Sequence, residues 1–164
     1  MKPNIRRILV PLDFSPTSDQ AFGYAAALAE EFGASTALLH VIEDRLMTGP
    51  WPAEVYLGEL PKLRADLIRD AEQRMQKCLA SLTAKGITAT GEVLIGVPSH
   101  VIIEQASTTS ADLIVMGTHG RTGITHLLIG SVAERVIRHA PCPVFVVRER
   151  TSAEGAFEPV QAAG

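Results

Sequence analysis

The sequence has only two cysteines, Cys78 and Cys142, and few aromatic residues (5%) among its 164 residues. Two cysteines that form no CxxC pair are too few for a disulfide framework, which favours a reducing compartment. No uncharged apolar run approaches the roughly 18 residues that a membrane span requires. The apolar run after Arg7 is also too short for the core of a signal peptide. We therefore expect a cytoplasmic protein with no membrane segment.

Neither sign of charge dominates the chain. Its 15 Lys and Arg residues against 18 Asp and Glu residues give a net charge of −3, which is not typical of a nucleic-acid or membrane-surface binder. A composition with 46% apolar and 20% charged residues is that of a globular protein. The length suits one domain that needs no metal or disulfide for stability. We expect a single domain over residues 1–150 and a mobile C-terminal tail over residues 151–164, which lacks hydrophobic periodicity.

Short apolar runs alternate with amphipathic segments along the chain. The runs predict strands over Ile8–Val10, Thr36–Ile42, Thr88–Ile95, Asp112–Met116 and Pro143–Val147. Helical spacing predicts helices between them, of which the first is capped by Ser15, starts at Pro16 and stops at Gly33, and the others begin near Leu63, at Pro98 and at Ser131. Apolar strands that alternate with helices indicate an α/β, doubly wound sandwich around a parallel sheet. Ligands of such sheets bind beyond the carboxyl ends of the strands, where the strand order reverses.

A glycine-rich loop follows the fourth predicted strand, with glycines at Gly117, Gly120, Gly123 and Gly130. Glycine allows the backbone to approach a ligand closely, and the helix start at Ser131 favours an anion. Ser131 and Glu134 also match a capping box. The glycines could equally be turns and the serine only a cap. Since neither GxxxxGK[ST] nor GxGxxG is present, a P-loop mechanism is not favoured.

The spacing Gly117-x2-Gly120-x9-Gly130-Ser131 resembles the nucleotide signature of the universal stress protein family, in its ATP-binding branch. The resemblance extends to the segments Ile8–Ser15, His40–Val41 and Pro141–Val147, and covers about residues 5 to 148. It implies a five-stranded parallel sheet with the strand order 3-2-1-4-5.

The resemblance also implies the residues of an adenine-nucleotide site. Pro11, Asp13 and Val41 would line the adenine and ribose end, and Met116 and Gly117 would pass beside the ribose. The residues around the phosphates would be His119, Gly120, Arg121, Thr122 and Gly123, with Gly130, Ser131 and Val132 on the far side. The implied ligand is ATP, with Mg²⁺ or Mn²⁺ held mainly through the phosphates. Asp13 could instead serve only the turn after the first strand, and His119 could simply be exposed.

Three other reactive side chains are interpreted as structural. His40 ends an apolar strand, which is typical of a hydrogen-bonded core histidine. Cys78 lies near an apolar helix face, and Cys142 stands between two prolines with no sign of a depressed pKa. The sequence also has no nucleophile elbow and no paired carboxylates near the loop.

We therefore favour an ATP-binding stress or signalling module. The alternatives are a weak ATPase or autophosphorylating protein, with Ser131, Thr122 or Thr118 as acceptor, and a nucleotide-free dimeric adaptor. A homodimer is expected because the last strand, with Val144, Phe145, Val146 and Val147, would expose apolar residues at a sheet edge. The family resemblance implies antiparallel pairing of this strand across a two-fold axis. Cover by the C-terminal tail is the alternative.

Overall fold

The computed structural model of the chain describes residues 4–43, 49–50, 52, 55–118 and 130–148, with Tyr56 and Leu57 described by their backbone alone. The strands in this part of the chain are β1 (Arg7–Pro11), β2 (Ser35–Glu43), β3 (Ala89–Gly96), β4 (Leu113–Gly117) and β5 (Val144–Val147). The α-helices are α1 (Pro16–Phe32), α2 (Leu60–Ala84), α3 (Pro98–Thr108) and α4 (Ser131–His139), and a π-helical turn, Val55–Glu59, precedes α2. Each predicted strand and helix is confirmed, with bounds that move by a few residues. The predicted tail, residues 151–164, lies outside the described residues.

The five strands form one parallel sheet in the order β3-β2-β1-β4-β5, which confirms the expected doubly wound α/β fold. β1 pairs with β2 from Arg7 opposite Ser35 onward, and with β4 at Ile8 opposite Leu113. The chain thus leaves β1 toward one edge of the sheet and returns on the other side of β1. A crevice opens where the strand order reverses, beyond the carboxyl ends of β1 and β4.

Helices cover both faces of the sheet and divide its core in two. Ile8 and Val10 of β1 pack on one face, in a cluster with residues of α1 and α2. Leu9 between them points to the other face, in a cluster that includes Ile102 of α3 and Val136 of α4. Because alternate residues of a strand point to opposite faces, a strand buried on both sides must be apolar throughout. The continuous apolar run of β1 has this cause.

The ends of α1 match the signals in its sequence. The Ser15 side chain accepts a hydrogen bond from the Ser18 N–H at 3.2 Å, and Pro16 is the first helical residue. Gly33 ends the helix in the left-handed conformation with φ 64°, and its N–H bonds the Ala29 carbonyl. These local contacts place the start of α1 directly after the carboxyl end of β1.

The predicted capping box at the start of α4 is wrong. The N-cap is Gly130 and not Ser131, so the cap residue has no side chain that could accept from the helix N–H groups. Ser131 is the first helical residue, while Glu134 pairs with Arg138 one turn further at 2.9 Å. The first N–H groups of α4 are therefore not satisfied by the serine and glutamate that the pattern suggested.

The outer elements are only partly buried. β3 lies at an edge of the sheet, and each of its residues is at least partly exposed. On α2, Ala71, Met75 and Leu82 are buried, whereas Leu63 is 49% exposed. In the part of the chain that the structure describes, no helix is long and apolar enough to cross a membrane.

Candidate functional site

A cleft of about 730 Å³ occupies the crevice beyond the carboxyl ends of β1 and β4. It brings together eight of the residues that the sequence implicated, namely Pro11, Asp13, Val41, Met116, Gly117, Gly130, Ser131 and Val132. The other five, His119, Gly120, Arg121, Thr122 and Gly123, lie outside the described residues. Residues more than a hundred positions apart in sequence thus line one cavity, because the strand order reverses there.

Asp13 stands at the rim of the cleft in a hydrogen-bonded turn between β1 and α1. Its Oδ1 accepts from the Ser15 N–H at 3.1 Å and from the Ser15 hydroxyl at 2.6 Å. Its own N–H donates to the Ser18 hydroxyl at 3.2 Å. Asp13 therefore does stabilise the turn after β1, the alternative role that the sequence left open. It also fixes the orientation of the carboxylate, which is half-buried and lines the cleft.

Two aromatic rings form a wall of the cleft that sequence reasoning missed. Phe14 has a left-handed backbone, φ 60°, and its ring centroid lies 4.7 Å from that of His40. The guanidinium of Arg74, on α2, lies over the Phe14 ring, with its Cζ atom 5.6 Å from the ring centroid. Asp70 pairs with Arg74 at 3.0 Å. The i, i+4 spacing of Asp70 and Arg74 is enough to predict their ion pair. No local pattern predicts that this face of α2 meets Phe14.

His40 is buried and hydrogen-bonded, which confirms its interpretation as a satisfied core histidine. It is 6% exposed, and its Nδ1 donates to the Leu12 carbonyl at 2.6 Å. Because β2 carries His40 and the turn after β1 carries Leu12, this bond ties the two strand ends together. His40 also lines the cleft. The hydrogen bond from His40 to the Leu12 carbonyl therefore lies beside the cleft, which both residues line.

The opposite wall is assembled by the backbone of Thr118. The Thr118 N–H donates to the Val147 carbonyl of β5, and its carbonyl accepts from the Gly130 N–H, both at 2.8 Å. These bonds place Gly117, at the end of β4, beside the start of α4. Gly130, Ser131 and Val132 line the cavity, so the start of α4, with its positive helix-dipole end and first-turn N–H groups, lies at the cavity edge. Such a helix start attracts anions.

Both cysteines take part in packing. Cys78 contacts the core cluster under α1 and α2, and Cys142 contacts the cluster under α3 and α4. Burial raises the pKa of each thiol, and the negative charges of Asp19 and Asp112 raise the pKa values of Cys78 and Cys142 further. A raised thiol pKa lowers the fraction of thiolate, the reactive form. The interpretation of Cys142 as a thiol with no depressed pKa is confirmed.

Comparison with known families gives a consistent result. The sequence profile of the universal stress protein family matches residues 4–148. Universal stress protein MJ0531 of Methanocaldococcus jannaschii is 38% identical over 144 residues, which cover 88% of this chain and 82% of that protein. Universal stress protein MJ0577 of the same organism is 30% identical over 157 residues, which cover 90% of this chain and 97% of that protein.

Solved structures agree in fold. The structure of the MJ0577 protein superposes with a TM-score of 0.80 at 30% identity and covers 91% of this chain and 99% of its own. The universal stress protein UspA from Lactobacillus plantarum gives a TM-score of 0.79 at 27% identity, covering 90% and 100%. Two more distant structures share the fold. A universal stress protein in complex with cAMP gives a TM-score of 0.60 at 20% identity and covers 88% of this chain and 98% of its own. A universal stress protein from Archaeoglobus fulgidus in complex with dAMP gives a TM-score of 0.59 at 19% identity and covers 89% of this chain and 99% of its own.

Proposed function

The chain belongs to the universal stress protein family, and we propose that its carboxyl-end cleft binds an adenine nucleotide, with ATP as the ligand. The observation that carries this proposal is the meeting of the Asp13 carboxylate and the start of α4 in one cavity of about 730 Å³. A carboxylate suits ribose hydroxyls, which donate hydrogen bonds, and a helix start suits phosphate, which accepts them. The cavity thus has one group for each half of a nucleotide.

The adenine and ribose would occupy the part of the cleft next to β1 and β2. Pro11, Val41 and Met116 offer apolar surface for the base. Asp13 is held by Ser15 through its Oδ1, so its orientation does not have to be fixed when the ligand arrives. A site that is ordered before binding loses less conformational entropy on binding.

The phosphates would lie toward α4, against the backbone of Gly130, Ser131 and Val132. The family resemblance adds His119, Gly120, Arg121, Thr122 and Gly123 to this end, and the Gly117, Gly120 and Gly130 spacing supports a polyphosphate. Mg²⁺ or Mn²⁺ would be held mainly by phosphate oxygens and water. The cAMP and dAMP complexes of two proteins with this fold support an adenine nucleotide as the ligand class.

In the cell, the bound nucleotide would set the conformation or partner choice of a cytoplasmic stress or signalling module. Among the acceptors that an autophosphorylating protein would need, Thr118 is buried, whereas Ser131 is exposed at the cleft. A nucleotide-free adaptor is the remaining alternative. Mass analysis of the nucleotide released from denatured purified protein, followed by titration with ATP and Mg²⁺, separates these functions. A protein that neither releases nor binds a nucleotide contradicts the proposal.

The Asp13→Asn variant tests the ribose end of the site. Asparagine keeps an Oδ1 that accepts from Ser15, so the turn should remain, but it removes the charge. Since hydrogen bonds to charged groups contribute about 1.5–3 kcal/mol, we expect ATP affinity to fall about tenfold or more in calorimetric titration. Asp19→Asn is the matched control, because Asp19 is exposed in the first turn of α1 and does not line the cleft. Equal ATP affinities for both variants would exclude Asp13 from the site.

We also propose a homodimer through β5. This strand lies at the end of the strand order, and Phe145 is 41% exposed with its ring centroid 5.8 Å from that of Tyr24. An apolar edge of this kind is usually paired or covered. Analytical ultracentrifugation at micromolar concentration should show the mass of a dimer, and Phe145→Glu should shift it to the monomer. Leu63→Glu, at a leucine on α2 that is 49% exposed, should leave the dimer intact. A monomeric unmodified protein would refute the proposal.

A further inference from the structure

The α2 side of the cleft carries a charged pair to which the nucleotide proposal assigns no role. Asp70 and Arg74 both line the cleft, and Nε of Arg74 lies 3.0 Å from Oδ2 of Asp70. Among the described residues, Arg74 is the only lysine or arginine that lines the cleft, against the carboxylates of Asp13, Glu43 and Asp70. Its guanidinium lies over the ring of Phe14, the residue after Asp13. The cation therefore stands next to the Asp13 turn.

Phe14 occupies the middle of the turn that holds the Asp13 carboxylate. The Asp13 Oδ1 accepts from the Ser15 N–H at 3.1 Å and from the Ser15 hydroxyl at 2.6 Å. Because Phe14 lies between these two residues, its backbone conformation decides whether the Ser15 N–H points back at the carboxylate. A change of φ at Phe14 would turn the N–H away and release the carboxylate from its fixed orientation.

The neighbours of Phe14 have to maintain its conformation. Its φ of 60° is unfavourable for a residue with a Cβ atom and persists only where contacts hold it. The ring of His40 contacts the Phe14 ring from the core, and the guanidinium of Arg74 lies over it from α2. Arg74 is 48% exposed, so the pairing with Asp70 is needed to restrict its rotamers. Asp70 thus acts on Phe14 through Arg74.

We propose that Arg74 is a positioning residue of the ribose contact. Held by Asp70, it keeps Phe14 in the left-handed conformation and thereby fixes the Asp13 carboxylate toward the ribose hydroxyls. This role rests on the proposed function, in which Asp13 binds the ribose. The α2 helix then controls how well the cleft distinguishes a nucleotide that has ribose hydroxyls from one that lacks them. A purely electrostatic role of Arg74 has a different consequence, because its charge acts equally on nucleotides with the same phosphates.

A comparison of ATP with 2′,3′-dideoxy-ATP isolates the ribose contact. Calorimetric titration gives the ratio of the two dissociation constants, which should be about tenfold or more in the unmodified protein, because the Asp13 carboxylate accepts from the hydroxyls. Arg74→Ala, an exposed change that favours the helix, should lower this ratio severalfold, toward that of Asp13→Asn. In the Asp13→Asn background, Arg74→Ala should not lower the ratio further, since both changes act on one contact.

Asp70→Asn separates positioning from charge by the sign of its effect. It makes the cleft less negative, so charge alone would strengthen the binding of both nucleotides and leave their ratio unchanged. If Asp70 acts through Arg74, the ratio should fall although the charge change favours ATP. Asp66→Asn and Arg69→Ala are the matched controls, because these two residues form an exposed ion pair on α2 that does not line the cleft. Both controls should keep the ratio of the unmodified protein.

The backbone of Phe14 gives a readout that needs no ligand. In ¹³C,¹⁵N-labelled protein, scalar couplings and intraresidue NOEs that report φ should show Phe14 leaving the left-handed conformation in Arg74→Ala but not in Arg69→Ala. An unchanged φ in Arg74→Ala, or a ratio that falls in Asp13→Asn but not in Arg74→Ala, overturns the positioning role. An unmodified protein that does not bind ATP refutes the proposed function instead, and one that binds both nucleotides equally refutes its ribose contact.

Discussion

Replacing Gly117 with valine is expected to lower the free energy of unfolding by about 1–3 kcal/mol, the usual range for overpacking a core, and to reduce ATP affinity by more than tenfold. A Cβ atom at Gly117 would lie 2.9 Å from Cγ2 of Thr17 and 3.3 Å from its carbonyl carbon. Thr17 is 4% exposed and β-branched, so its side chain has little freedom to move away. The start of α1 would have to shift away from β4.

That shift would reach the site through two serines. Ser15 and Ser18, on either side of Thr17 at the start of α1, hold the Asp13 turn: the Ser15 hydroxyl donates to its Oδ1, and the Ser18 hydroxyl accepts from its N–H. A displaced α1 start therefore displaces the carboxylate that is proposed to bind the ribose. Gly117→Ala introduces the same Cβ without the extra bulk and should show a smaller loss in the same direction. The loss in Gly117→Ala measures the effect of the Cβ atom alone, and the further loss in Gly117→Val measures the effect of the added side-chain volume.

Urea unfolding and calorimetric titration with ATP and Mg²⁺ measure the two effects. Gly23→Val is the matched control, since a Cβ built at Gly23 on α1 meets no described heavy atom within 4 Å beyond its chain neighbours and the backbone of its own helical turns. Valine has a higher helix propensity than glycine, so this variant should be as stable as the unmodified protein or slightly more stable. If Gly117→Val bound ATP as tightly as Gly23→Val does, the coupling of α1 to the site would be refuted.

The parts of the fold that local sequence signals specify were predictable. The Ser15 cap, Pro16 and Gly33 mark both ends of α1 because capping depends on neighbours in sequence. The apolar run of β1 identifies a strand buried on both faces, and parallel topology then places the crevice at its carboxyl end. Of the candidate site, Pro11, Asp13 and the Gly130–Val132 segment follow from that topology together with the family resemblance.

What was missed depends on contacts between distant segments. The start of α4 at Ser131 was predicted correctly, but its N-cap was placed one residue late. The Gly130 N–H bonds the Thr118 carbonyl, and Gly130 takes the extended conformation of an N-cap, φ −61° and ψ 149°. The wall of Phe14, His40 and Arg74 depends on how α2 is rotated against β2, which hydrophobic periodicity leaves undefined. The left-handed Phe14 contradicts the usual preference of a bulky residue, so no propensity argument predicts it.

Replacing His40 with phenylalanine tests whether this wall positions the site. Phenylalanine preserves a ring next to Phe14 but leaves the Leu12 carbonyl without the bond that His40 Nδ1 donates at 2.6 Å. Loss of one partner from a buried pair costs about 1–3 kcal/mol, so we expect stability to fall by that amount in urea unfolding. We also expect ATP affinity to fall severalfold. The Leu12 carbonyl lies one residue before Asp13, and a turn released there no longer fixes the carboxylate.

The backbone strain at Phe14 gives this prediction a second test. A non-glycine residue at φ 60° is unfavourable and persists only where its surroundings hold it, here through the ring of His40 and the guanidinium of Arg74. Glycine adopts that conformation without strain, so the His40→Phe substitution should cost less ATP affinity in a Phe14→Gly background than in the unmodified protein. Equal losses in both backgrounds would mean that strain does not link His40 to Asp13. A His40→Phe protein that is less stable but binds ATP normally would mean that His40 only stabilises the core and does not position Asp13.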